Sequence, residues 1–351
     1  MRIALVSTPF VAVPPRDYGG TELVMYELAE GLVARGHDVT LFATGDSNSS
    51  ATLRALYEEA RWPPDPLTEL NHLSWALREV RDGGFQVVHC QQAGAMAMGR
   101  LLPQIPLVYT IHHARDEVLS AFYRQFPQAW YVTISQRQRE LEEVLPLMTM
   151  IHHGIDPTPY MGPTRAGDYV AFLGRLSQVK GPHVAIDVAE RAGVEIQVGG
   201  RIHGDDADPT FAAREVEPRL RHPHVRYLGP IGLDQKATML REARALLVPI
   251  DWEEPFGLVM IEAMLAGCPV VAFSRGSAPE LVETGWTGFL VRDANEMVQV
   301  VQTRLADFDR QRCRARAIER FGREAMVAAY EAYYRRAAQA EPRIGRLQPS
   351  A

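Results

Sequence analysis

Three stretches near the start decide the fold: Ile3-Ala-Leu-Val-Ser7, the run from Gly20 to Ala34, and Asp38-Val-Thr-Leu-Phe-Ala43. The first and third are short and apolar without polar alternation, as expected of strands buried on both faces. Between them Leu23, Val24, Leu28, Leu32 and Val33 recur at helical spacing, and Arg35-Gly36-His37 stops the helix. Strand, helix and strand of this kind form a parallel unit. The pattern continues with strands expected at 86–90, 107–112, 131–134 and 149–151. Asp156-Pro-Thr-Pro-Tyr-Met-Gly-Pro163 then packs three prolines and a glycine into eight residues and reads as the start of a linker over 157–167. Beyond it the alternation restarts, with strands at 169–173, 194–198, 225–228, 245–248, 268–273 and 288–291, and the last sixty residues read as helices. The expected architecture is α/β: two tandem Rossmann-like, doubly wound domains facing a cleft, the first over 1–156 and the second over 168–322.

The 351 residues are enough for about two domains. Hydrophobic residues at 46% and charged residues at 23% are ordinary for a globular chain and exclude a disordered, collagenous or disulfide-framework protein. A formal net charge of -6 gives no global attraction to nucleic acid. Cys90, Cys268 and Cys313 are odd in number and form no CxxC pair, which fits a reducing cytoplasm. No apolar run approaches the ~18 residues of a membrane span. The opening residues read as a strand rather than a signal peptide, so a cytoplasmic location is expected. Only Lys180 and Lys236 are lysines among 37 basic residues, which singles out the position of each.

Trp252-Glu-Glu-Pro-Phe-Gly-Leu-Val-Met-Ile-Glu-Ala-Met264 follows an apolar strand and opens a helix. The amides of Phe256, Gly257 and Leu258 at the helix start suit an anion, assisted by the helix dipole, with Pro255 expected near the first turn and Glu262 about two turns in. Glu254 and Glu262 carry the wrong charge for phosphate but accept hydrogen bonds from sugar and ribose hydroxyls. Phe172-Leu-Gly-Arg-Leu-Ser-Gln-Val-Lys-Gly181 places Arg175 and Lys180 in the loop after a strand, where a doubly wound sheet binds phosphates. There is no GxGxxG fingerprint and no Walker lysine loop.

Together these segments resemble the retaining glycosyltransferases of family 4, whose architecture is the two-Rossmann-domain glycosyltransferase-B fold. Tyr18-Gly-Gly-Thr-Glu22 is similar to the family's glycine loop, and Thr110-Ile-His112 to its strand-end histidine. His153-Gly-Ile-Asp156 has histidine where the family usually has asparagine, and Ser277-Ala-Pro-Glu-Leu-Val282 and Thr287-Gly-Phe-Leu-Val291 match further on. The final helix, over 323–338, is like the one that crosses back onto the first domain. The resemblance implies hexosyl transfer from a nucleotide-sugar, by default a UDP-hexose, with retention and without a metal or other cofactor. It implies that Arg175 and Lys180 bind the diphosphate, with Gly20 contributing its amide. Glu262 would hold the ribose, and Glu254 with the backbone at Phe256, Gly257 and Leu258 the sugar. Among these, His112, Glu254, Arg175 and Lys180 would be catalytic, and Tyr18, Gly19 and His112 would lie on the acceptor side. The acceptor class is open: a small molecule, a glycan or a lipid-linked compound.

The pairs His112-His113 and His152-His153 lack a carboxylate at ligand spacing, so no metal site is expected. Asp206-Ala-Asp208 reads as a polar turn. Adjacent strand residues point to opposite faces, so only one of His112 and His113 can face the reacting sugar. The stripe Val118, Leu119, Phe122, Tyr123 and Phe126 reads as a core or acceptor-lining face, although peripheral membrane contact is compatible with it. An epimerase on the same architecture and a catalytically silent nucleotide-sugar binder are the alternatives.

Overall fold

The computed structural model describes residues 1–16, 19–163, 165–202 and 208–340. It divides into two compact units, one of Met1–Gly154 with Arg323–Ala351 and one of Ile155–Gly322. Asp156 and the proline-rich stretch after it belong to the second unit, where Tyr160 is buried.

The first unit runs β1 (Arg2–Val6), α1 (Gly20–Ala34), β2 (Asp38–Ala43), β3 (Thr52–Ala55), α2 (Pro66–Asp82), β4 (Val87–Cys90), α3 (Gly94–Gly99), β5 (Leu107–Ile111), α4 (Glu117–Tyr123), β6 (Trp130–Thr133), α5 (Gln136–Leu141) and β7 (Met148–Met150). Its parallel strands lie in the order β3-β2-β1-β4-β5-β6-β7. The sheet is doubly wound, and the strand order reverses between β1 and β4. Ile3, Ala4, Leu5 and Val6 are all fully buried, as a strand covered on both faces requires. Of the α4 stripe, Tyr123 and Phe126 enter the core and Leu119 and Phe122 pack against it, while Val118 is 78% exposed.

The second unit runs β8 (Tyr169–Leu173), α6 (Pro182–Ala192), β9 (Glu195–Gly199), α7 (Glu217–Leu220), β10 (Val225–Gly229), α8 (Leu233–Glu242), β11 (Leu246–Val248), α9 (Leu258–Leu265), β12 (Val270–Phe273), α10 (Ala278–Leu281), β13 (Gly288–Val291), α11 (Ala294–Thr303) and α12 (Arg310–Phe321). The strand order is β10-β9-β8-β11-β12-β13, so the reversal falls between β8 and β11, which pair in parallel with Leu246 opposite Ala171.

The last helix, α13 (Arg323–Gln339), belongs to the first unit. Its fully buried Tyr330 and Tyr334 reach the middle of the sheet. There the buried His89 bonds Tyr334 through Nδ1 at 2.6 Å and Thr110 Oγ1 through Nε2 at 2.8 Å, and Thr110 bonds Tyr330 at 2.9 Å. Charges fasten the rim: Glu331 meets both Arg35 and His37, and Arg323 pairs with Glu27.

Candidate active site

The candidate diphosphate and sugar residues stand at the carboxyl ends of β8 and β11, the strands flanking the reversal of the second sheet, where doubly wound folds hold ligands. Arg175 follows β8 by two residues and Lys180 ends a single helical turn, Gln178–Lys180, in the same loop. The loop after β11 lies against it, since the Asp251 amide donates to the Val179 carbonyl at 2.8 Å.

Glu254 is buried at 8% exposure, and its Oε2 accepts from Trp252 Nε1 at 2.7 Å while pairing with Lys180 Nζ. Lys180 also lies over the Trp252 ring, 5.2 Å from its centroid. An ammonium has three donors, so Lys180 can hold this carboxylate and still meet a phosphate. Arg175 makes no hydrogen bond or ion pair among the described residues, and its buried Nε has no partner. A guanidinium without a protein carboxylate, at the mouth of a parallel sheet, is a site for an anion.

The helix at this site begins later than the sequence suggests. α9 starts at Leu258, so Pro255 precedes the first turn by three residues and Glu262 sits about one turn in. Gly257 breaks the helix with φ of 82°, a left-handed conformation open to glycine at little cost. Phe256 is buried and packs edge-on against Phe321, while Leu258 is half-buried. Ser277 holds this loop in place: its amide donates to the Glu254 carbonyl at 3.0 Å and its hydroxyl to the Phe256 carbonyl at 2.6 Å.

Glu262 is buried at 4% exposure, and its Oε1 accepts from the Tyr160 hydroxyl at 2.9 Å and pairs with Lys236 Nζ of α8. Neither partner was assigned a role from the sequence. Tyr160 falls in the stretch that reads as a linker, and the only sequence signal for Lys236 is the scarcity of lysine.

Gly19, Gly20 and His112 belong to the first unit, and Tyr18 lies outside the described residues, as does Asp206. Gly20 opens α1. Glu22 beside it is buried, accepts from Thr8 Oγ1 at 2.8 Å, and has its carboxyl pushed up by burial. His113 turns away: its Nδ1 faces the Ala114 carbonyl at 2.6 Å and its Nε2 the Tyr123 hydroxyl at 2.6 Å. His112 instead stacks on His153, ring centroids 5.3 Å apart, and its Nε2 has no hydrogen-bond partner among the described residues. Burial, and then the charge of His113, press His112 down to about 3, so it is neutral at pH 7. Among the described residues one cluster could hold a metal, Glu190 with His222 and His224. It lies at the end of α6 and just before the edge strand β10, whereas Arg175 and Glu254 follow the carboxyl ends of the central strands β8 and β11. No described helix is long and apolar enough to cross a membrane.

Two parallel-sheet Rossmann-like units, with cations and carboxylates at the topological switch point of the second, place the chain in the doubly wound α/β class. The family profile described as Glycosyltransferase Family 4 matches residues 18–159, and the one described as Glycosyl transferases group 1 matches 167–307. The chain belongs to the family 4 glycosyltransferases, with the glycosyltransferase-B fold. An uncharacterized 41.2 kDa protein in the cps region of Klebsiella pneumoniae is 32% identical over 171 residues, 47% of this chain and 46% of that one. A phosphatidyl-myo-inositol mannosyltransferase of Mycolicibacterium smegmatis is 27% identical over 83% of this chain and 81% of its own. Among solved structures, AviGT4, a glycosyltransferase involved in avilamycin A biosynthesis, is similar with a TM-score of 0.77 and 23% identity, covering 97% of this chain and 99% of that chain. An Anabaena protein in complex with UDP and glucose is similar with a TM-score of 0.72 and 20% identity, covering 95% and 99%.

Proposed function

We propose that this glycosyltransferase moves a hexosyl group from a nucleoside diphosphate sugar, by default a UDP-hexose, to a hydroxyl acceptor with retention at the anomeric carbon and without a metal ion. The observation that carries the reading is Arg175, a cation with no protein partner among the described residues, in one loop with Lys180 and at the same sheet switch point as the start of α9. The solved relative that binds UDP and glucose supports the donor class.

Breaking the anomeric C–O bond leaves positive charge on the sugar ring and negative charge on the β-phosphate. Arg175, Lys180 and the positive end of α9 stabilise the departing diphosphate, and as fixed charges they need no reorganisation during the reaction. Glu254 accepts from sugar hydroxyls and Glu262 from ribose hydroxyls. The acceptor oxygen bonds to the anomeric carbon on the face the phosphate leaves, and its proton passes to a phosphate oxygen of the leaving group. His112, neutral, supplies a hydrogen bond to the reacting sugar rather than a charge. The acceptor is a small molecule, glycan or lipid-linked compound taken up by the first unit, and the work is done in the cytoplasm.

Calorimetric titration with UDP, GDP and ADP sugars in the presence of chelator tests this. One nucleotide class should bind, and Lys180→Ala and Glu262→Ala should each weaken it at least about tenfold. Absence of binding, or a requirement for a divalent ion, refutes the reading.

A further inference from the structure

Both motif carboxylates are gripped on one oxygen only. Glu254 Oε2 takes the Trp252 indole N–H and Lys180; Glu262 Oε1 takes the Tyr160 hydroxyl and Lys236. Among the described residues, the second oxygen of each carboxylate accepts no hydrogen bond. Each site has the same parts: one neutral aromatic donor, one ammonium and one oxygen left over. In a chain whose 37 fixed cations include only two lysines, those two lysines fill these two places.

The choice of lysine has a chemical meaning. A guanidinium is a planar fork that tends to take both oxygens of a carboxylate, whereas an ammonium is a point donor that can hold one. Lys236 also sits in the first turn of α8, where the helix dipole disfavours a cation. Tyr160 is held in turn, because Arg241 donates to the neighbouring Pro159 carbonyl at 3.1 Å.

We propose that Lys236 is a positioning residue for the nucleoside end of the donor. With Tyr160 it fixes Glu262 through Oε1, so that Oε2 is presented to the vicinal hydroxyls of a ribose. The role rests on the nucleotide-sugar reading above. It makes the site selective for ribonucleotides, and it makes arginine an unsuitable replacement despite its equal charge.

Affinities of UDP, GDP and ADP, and of their 2′-deoxy counterparts, are to be measured by calorimetry for the wild type, Lys236→Met and Lys236→Arg. For the nucleotide that binds, the wild type should prefer the ribose form by about tenfold. Both variants should lose about tenfold on the ribose form and little on the deoxy form, which also reports that the site is still folded. Variants that keep the wild-type preference, or that lose both forms alike, overturn the proposal. If no nucleotide binds the wild type, the donor reading has failed, and acylation of the two lysines followed by mass spectrometry decides the grip itself. Lys236 should then be labelled at least about tenfold faster in Glu262→Gln than in the wild type; equal rates overturn it.

Discussion

Lowering the pH from 7 to 5 should loosen the first unit through its buried histidines, with His89 at the centre. In the unfolded chain a histidine titrates near 6.5, whereas burial presses His89 down to about 3. The folded value lies below the unfolded one, so the neutral ring contributes its full stabilisation above about pH 6.5 and loses it as the pH falls towards 3. At pH 5 the unfolded chain has taken up the proton and the folded one has not. One and a half units at about 1.4 kcal/mol each come to about 2 kcal/mol. The loss should appear where the ring is bonded, in α13, whose Tyr334 and Tyr330 meet His89 and Thr110. Hydrogen exchange of peptides from Arg323–Gln339, corrected for intrinsic rates, reads the opening free energy at both pH values. His89→Gln keeps hydrogen-bonding capacity but removes the titrating group. It should be less stable at pH 7, yet its further loss on going to pH 5 should be smaller by about 2 kcal/mol, or about thirtyfold in the opening constant. His72, His112 and His153 are also depressed, and they add the same background to both proteins. Equal pH dependence in the two proteins would refute the reasoning.

Three further outcomes are expected. A Cβ added at Gly31 of α1 would lie 2.4 Å from Val327 Cγ2 of α13, so Gly31→Ala should destabilise by about 1–3 kcal/mol in thermal melts, and Val327→Ala in the same chain should recover part of it. Gly276 has φ of 57° and would place a Cβ 2.4 Å from the Glu254 amide nitrogen, so Gly276→Ala should weaken donor binding at least about tenfold by titration, through displacement of the Glu254 loop. Trp252→Phe removes the indole donor to Glu254 Oε2 but keeps an aromatic ring beneath Lys180; donor hydrolysis should fall about five- to tenfold in kcat/KM, the scale of one lost hydrogen bond.

Much of the fold is legible in the chain because a strand buried on both faces must be apolar throughout. β2, β8 and β13 have the expected limits, and the other apolar strands fall within two residues of them. β3 escapes because it is a short edge strand, and Thr-Leu-Arg-Ala, mostly exposed, carries no apolar run to mark it. At the site, the charges at the ends of β8 and β11 are readable because loop chemistry follows local sequence. Their partners are not. Tyr160 reaches Glu262 across 102 residues and Lys236 does so across 26, separations that only the folded chain closes. The left-handed Gly257, which delays α9, is also a tertiary matter, since Ser277 fixes the loop before it.

The assignment of α13 to the first unit bears on the order of events during synthesis. The second unit is one continuous segment, Ile155–Gly322, and all of its strands have been made before α13 is translated. The first unit begins earlier but must wait for the tyrosines of α13 to cover the polar pair His89 and Thr110 at the middle of its sheet. On a growing chain the usual order, in which the N-terminal domain folds first, is therefore reversed. The later-made unit can close on itself while the earlier one still leaves the middle of its sheet uncovered, and incompletely packed surface of that kind is prone to misassociation.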